Sequence, residues 1–248
     1  MSAHMKATLT AGWRDTLDVM FPRACVHCEG LVEDGALRHL CPACERQLHI
    51  VGEPHCTTCG HPFFGEMEAN RLCPHCEALV PEFGQGKTAV LLKGPGRALV
   101  HALKYHHGLH VLEDIVTLMR AAPGYADYLI DAVLVPVPLH PRKRRERTYN
   151  QSELLAECCV RAAGGQATIE HLLRRVVDTE SQTHYDRTAR QKNLKNAFAM
   201  ASGVAIQPAR RYIIVDDVFT TGSTLNACAA VLRSAGALNL DVVTFGHG

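Results

Sequence analysis

The chain has 248 residues, and its 26 Lys and Arg against 25 Asp and Glu leave a formal charge of +1. That balance excludes a global electrostatic pull toward nucleic acid or membrane, and no apolar run approaches the roughly 18 residues of a membrane helix. The length allows one large or two modest domains with a sizeable core. The absence of a signal-peptide apolar region predicts a cytoplasmic protein without membrane insertion.

Residues 1–24 predict little beyond a helix around Trp13 to Met20. The next segment, 25–80, holds eight of the eleven cysteines, as the pairs Cys25/Cys28, Cys41/Cys44, Cys56/Cys59 and Cys73/Cys76, separated by 12, 11 and 13 residues. Two cysteines spaced C-x-x-C can place both thiolates on one ion, and two such pairs complete a tetrahedron. Four pairs therefore predict two structural Zn²⁺ sites in tandem ribbons. Disulfides are the competing reading, but they need an oxidising compartment that nothing here indicates. Neighbouring pairs close the shortest loops, which favours first with second and third with fourth; interleaving is the alternative. Pro42, Gly60 and Pro74 suit knuckle turns. His27, His55, His61 and His75 lie beside the cysteines and are read as surface histidines at the knuckles. All-cysteine sites keep no open coordination position, so no zinc catalysis is expected.

From residue 85 to 248 the pattern alternates. Pro81 to Gly86 reads as a linker, Thr88 to Lys93 as a strand, and Arg97 to His107 and Leu109 to Arg120 as amphipathic helices. Ala132 to Val137 is a short apolar strand. Tyr149 to Ala163 is helical, with Asn150 as its cap. Ile169 to Val177 reads as a strand, Asp178 to Asn196 as a long polar loop, Tyr212 to Val215 as a buried strand, Leu225 to Ala235 as a helix, and Leu238 to Phe245 as the strand that closes the sheet. Strands alternating with helices predict an α/β fold with a mostly parallel sheet. Cys158, Cys159 and Cys228 sit in helix-like apolar surroundings and read as core thiols.

Three stretches of this second half carry chemistry. Val137-Pro138-Leu139-His140 follows a strand end and runs into Arg142 to Arg147, five cations in six positions, which makes an anion trap. The polar loop carries Gln182, Arg187, Arg190 and Asn193. The third begins with Asp216 and Asp217 at the end of an apolar strand, followed by Thr220, Thr221, Gly222, Ser223 and Thr224 and then a helix. Ligands of parallel sheets bind where strands end and helices begin. Free N–H groups and the helix dipole there favour a phosphate, and Gly222 lets the backbone approach. The two acids are better placed for sugar hydroxyls, directly or through a metal. A phosphate beside a diol describes a ribose 5-phosphate.

The Asp216 to Thr224 stretch resembles the 5-phosphoribosyl-1-diphosphate (PRPP) motif of type I phosphoribosyltransferases. With the cysteine pairs, Leu103-Lys104-Tyr105, Val135 to His140, Arg144 to Ser152, Gln182-Thr183 and Arg187 to Phe198, the chain from Cys25 onward resembles the ComF family of competence and GntX-like proteins. Asn196 stands where that pattern has glycine. The resemblance implies a double zinc ribbon over 25–80 and a phosphoribosyltransferase-like domain over 85–248. It further implies PRPP with Mg²⁺ as ligand, a pyrophosphate loop at Val137 to His140 assisted by Arg142, Arg144 and Arg147, and a closing loop at Asp178 to Asn196. Asp216 and Asp217 become the catalytic acids of a glycosyl transfer whose acceptor is unread. The family's association with DNA uptake implies competence proteins as partners. It also keeps open a non-catalytic adaptor that binds single-stranded DNA through the basic loop, the ribbons and Tyr149, with PRPP as ligand.

Overall fold

The computed structural model describes residues 23–33, 35–65, 69–105, 108–140, 148–176 and 196–248. The helix expected at Trp13 to Met20, the cations Arg142, Arg144 and Arg147, and the loop residues Gln182, Arg187, Arg190 and Asn193 lie outside the described residues. The described elements run α1 (Pro42–Glu45), α2 (Pro74–Leu79), β1 (Gly86–Leu91), α3 (Gly94–Tyr105), α4 (Leu112–Ala121), α5 (Tyr125–Tyr128), β2 (Val133–Pro136), α6 (Gln151–Ala162), β3 (Thr168–Ile169), β4 (Leu173–Arg175), β5 (Phe198–Met200), β6 (Arg211–Phe219), α7 (Ser223–Ser234) and β7 (Asn239–His247).

Five strands form one parallel sheet in the order β1-β7-β6-β2-β3, while β4 and β5 pair antiparallel beside it. The fold is thus α/β with a mostly parallel sheet flanked by helices, preceded by a small cysteine-rich unit. Alternate strand residues face opposite layers. Leu134, Ile213, Val215, Val243 and Phe245 pack with α3, α4 and α6, whereas Val133, Val135, Tyr212, Ile214 and Val242 pack with α7. Both faces are covered, which is why the strands read as unbroken apolar runs.

Three expectations are corrected. The final strand does not close the sheet: β7 lies between β1 and β6, and β1 takes the edge. The strand expected over Tyr212 to Val215 with the acids at its carboxyl end runs further, so Asp216 and Asp217 lie within β6, which stays in register with β7 as far as Phe219 opposite His247. The expected strand 169–177 splits into β3 and β4. Its partner β2 ends at Pro136, with Pro138 two residues on, and neither proline has an N–H to extend a ladder.

The cysteine-rich segment straddles the β1 edge. Its middle, His49 to Val51, pairs antiparallel with β1: Val51 N–H donates to Ala89 O and Leu91 N–H to His49 O, both at 2.9 Å. On one face Cys25 and Cys44 share the core of α3 and α4; on the other Cys56, Cys59, Cys73 and Cys76 share the core of α7. The second knuckle meets β1 so closely that a Cβ on Gly86 would stand 2.2 Å from Thr58 O. Asp114 of α4, 1% exposed, accepts from the Arg38 and His39 amides at 2.8 Å each.

Those two charge-assisted bonds clamp the first ribbon to the body. Asp114→Ala should leave two amides without their acceptor and cost about 2–4 kcal/mol. The loss would be read as a lowered urea midpoint with an unchanged denaturant slope.

Candidate active site and metal centres

The ribbon cysteines gather as the neighbouring pairs predict. Cys25, Cys28, Cys41 and Cys44 form one group, and Cys56, Cys59, Cys73 and Cys76 the other, with the four sulfurs of each within 4.8 Å of one another. None is in a disulfide. Four thiols at that spacing fit one tetrahedral Zn²⁺ per group, closed to further ligands. The short helices α1 and α2 each start on a proline directly after a ligand cysteine, where proline's fixed φ and missing N–H do no harm.

The neighbouring histidines are not all surface residues. His27 is exposed, with Nδ1 3.2 Å from Cys44 Sγ. His55 is buried. His61 packs against the buried His247, whose ring stacks on Phe219. Burial, then His61, holds His247 down near 4, so the His247 ring is uncharged at neutral pH. Cys158, Cys159 and Cys228 are buried thiols, each pushed up chiefly by burial, which makes them poor nucleophiles.

In the interior of the sheet, β2 and β6 are adjacent and parallel, with Pro136 opposite Val215. Their carboxyl ends bring the Val137 to His140 loop beside the Asp216 to Thr224 stretch. Val137 N–H donates to Val215 O at 3.0 Å, and Asn150 Nδ2 donates to Val137 O at 2.9 Å. Asn150 is also the cap of α6, accepting from Ser152 N–H, so one side chain ties the loop to the helix start. Pro138 and Leu139 line a cavity of about 380 Å³ with Glu153, His171, Arg174 and Arg175.

Asp216 Oδ1 accepts from Ser152 Oγ at 3.0 Å and from Asp217 N–H at 2.9 Å, and Asp217 Oδ2 sits 2.9 Å from Lys104 Nζ. Burial, and then the neighbouring Asp217 carboxylate, push Asp216 up to about 7, against the opposing pull of Lys104 and Ser152. Beyond β6, Gly222 adopts a left-handed φ of 69° as the N-cap of α7 and brings no side chain to cap it, while Thr221 Oγ1 accepts from Ser223 N–H at 3.4 Å. The Thr221 and Ser223 hydroxyls share a hydrogen bond of 3.0 Å. A Cβ on Gly222 would lie 2.6 Å from Phe219 and 2.8 Å from Leu79. The turn therefore needs glycine on both conformational and steric grounds.

Ser152 and Lys104 were not legible as site residues from composition or spacing. Each had one signal, its place in the resemblance: Lys104 in Leu103-Lys104-Tyr105 and Ser152 at the end of Arg144 to Ser152. Tyr149, expected as a stacking ring, is half-buried and donates its hydroxyl to Leu103 O. That bond fixes the loop before α6 against the end of α3.

Metal analysis of the purified protein should return two zinc ions per chain, and substituting both Cys25 and Cys28 by Ser should reduce the count to one. The acidic pair sets a pH dependence. The folded state keeps a proton on Asp216 that the unfolded state releases near pH 4, so its contribution to stability falls as pH rises from about 4 to about 7 and is flat above. Melting temperatures of the ligand-free protein should therefore drop relative to Asp216→Asn across that window. A constant difference would contradict the assignment.

The double zinc ribbon domain model matches residues 16–77. The chain is 29% identical to competence protein F of Haemophilus influenzae over 88% of this chain and 94% of that one. It is 30% identical to the DNA utilization protein YhgH of Escherichia coli K12 over 84% of this chain and 90% of that one. Among solved structures, a hypoxanthine phosphoribosyltransferase from Staphylococcus aureus aligns with 54% of this chain and 62% of its own, at 14% identity and a TM-score of 0.34, a likeness too slight to bear on chemistry. The paired-cysteine front end, the parallel sheet behind it and identity sustained over most of both chains give one conclusion: the chain belongs to the ComF family, with competence protein F and YhgH.

Proposed function

We propose that the protein binds PRPP with Mg²⁺ across the carboxyl ends of β2 and β6 and acts as a phosphoribosyltransferase. The observation that carries this reading is the unbroken run from the acidic carboxyl-terminal half of β6, through a left-handed turn rich in hydroxyls, to a helix start whose N-cap is glycine. In this reading Thr220 to Thr224 hold the 5-phosphate and Asp216 and Asp217 face the ribose hydroxyls. Val137 to His140, with Arg142, Arg144 and Arg147, take the pyrophosphate. Gln182, Arg187, Arg190 and Asn193 belong to the loop that closes and excludes water.

The chemistry follows from where charge develops. The bond from ribose C1 to the pyrophosphate oxygen breaks, its electron pair leaves on pyrophosphate, and a nucleophile that loses a proton bonds to C1. Positive charge grows on the ribose ring next to the acidic pair, which is preorganised by Ser152 and Lys104. Lys104 pairs with Asp217 and offsets one of the two negative charges, while burial and that neighbouring carboxylate raise Asp216 to about 7. A diol presents donors to both carboxylates and favours their ionised forms. Hard carboxylate oxygens also suit Mg²⁺, and Asp216 and Asp217 are the residues that would face it; when bound it offsets charge on the leaving pyrophosphate.

A second reading is favoured by the names of the relatives. The names of competence protein F and the DNA utilization protein concern competence and DNA; in this reading the protein is an adaptor that binds single-stranded DNA, with PRPP as ligand and other DNA-uptake proteins as contacts. Among the described residues no helix is long and apolar enough to cross a membrane. A reducing compartment such as the cytoplasm suits eight metal-ligating thiolates.

Asp216→Asn and Asp217→Asn should each weaken PRPP binding about tenfold or more, the loss of a hydrogen bond to a charged group. Unchanged affinity in both would remove the phosphoribosyl reading. Pyrophosphate release with nitrogen nucleophiles, and separately with DNA, distinguishes turnover from binding alone. For the adaptor, the logarithm of DNA affinity should fall steeply with the logarithm of salt concentration.

A further inference from the structure

The second zinc group lies against the glycine turn. Helix α2 starts after one ligand, Cys73, and carries another, Cys76. With six residues it is too short to hold its own conformation in water, so its ligand cysteines and its packing fix it. Between the two ligands, His75 places Nε2 3.2 Å from the Thr221 carbonyl oxygen. Against a carbonyl only the tautomer with hydrogen on Nε2 makes this bond. One turn along the same face, Leu79 reaches to 2.8 Å from where a Gly222 Cβ would stand. Phe219, the last residue of β6, has His75 and Phe83 edge-on at 6.5 Å and His247 stacked on it at 5.3 Å.

A trans peptide points its C=O and the next residue's N–H in opposite directions. Holding the Thr221 carbonyl on the ribbon side therefore turns the Gly222 N–H away from the ribbon. Glycine is the residue at which such a turn can most readily rotate its peptide plane. Rotation would replace an N–H by a carbonyl oxygen on that side, which repels a phosphate.

We propose that His75 is a positioning residue of the phosphate loop: from a helix fixed by the second zinc group it holds the Thr221 carbonyl and so sets the direction of the Gly222 N–H. The inference rests on the reading of Thr220 to Thr224 as that loop, and it deepens that reading by making the second ribbon part of the binding site's frame. Leu79 has the supporting part of closing the space under Gly222.

The test uses the zinc-loaded full chain, with His75→Ala, which removes the donor, and His75→Gln, whose amide nitrogen reproduces the Nε2 donor. Zinc content is read first. Should the alanine variant shed zinc, His75→Leu, which fills the space without a donor, replaces it. Two readouts follow: hydrogen exchange across Thr220 to Leu225, and calorimetric titration with PRPP and Mg²⁺. With both zinc ions retained, the donor-free variant should exchange faster across the turn and bind PRPP about three- to tenfold more weakly, the loss of one neutral hydrogen bond. His75→Gln should recover most of both. Wild-type exchange in the donor-free variant overturns the proposal whatever PRPP does. Faster exchange in that variant, recovered in His75→Gln, upholds the role of His75 even if the wild-type protein fails to bind PRPP, in which case the PRPP reading alone falls.

Discussion

The pairing of His49 to Val51 with the edge of β1 organises the rest of the molecule. An exposed strand edge offers a row of unpaired amides and carbonyls that must be covered. Here the cover is the connector between two ribbons, so each ribbon folds onto a different face of the sheet and joins a different core. A small cysteine-rich unit buries too little surface to stand on packing alone. Metal ligation and shared cores with the α/β body make up the difference. The arrangement also reaches the site from both faces. The first ribbon packs with α3, which delivers Lys104, and the second packs under the turn that starts α7.

The site itself is an electrostatic compromise. Two adjacent carboxylates at one strand end repel one another, and burial works against ionising both. Lys104 from α3 and Ser152 from α6 make the pair tolerable without neutralising it. A buried acid raised to about 7 beside a carboxylate paired with Lys104 is ready to accept hydroxyl donors or a cation. Because its partners come from helices far apart in sequence, the geometry depends on the packing of α3 against β1 and β7 and of α6 against β6.

Much of this was legible in the sequence. C-x-x-C spacing is dictated by coordination geometry, so the metal groups and their neighbouring-pair partition followed from counting. The apolar runs of β2 and β6 and the cap at Asn150 are local signals, and they held. The splitting of the 169–177 stretch and the interior position of β7 depend on which strands are neighbours, which no local pattern encodes. The burial of His55 and the contact of His75 with Thr221 were hidden for a similar reason. The residues join over 146 positions of chain, and next to cysteines their type suggests only a knuckle. Lys104 had a resemblance but no local chemistry to mark it, since its acid lies on another element.

The account stands on the ribbons being part of the frame and not an appended module. Hydrogen exchange before and after zinc is stripped by a chelator tests this most directly. The account predicts that protection falls together in the ribbons, in β1 and across Thr220 to Leu225. Loss confined to the cysteine-rich segment, with β1 and the turn before α7 still protected, would contradict it.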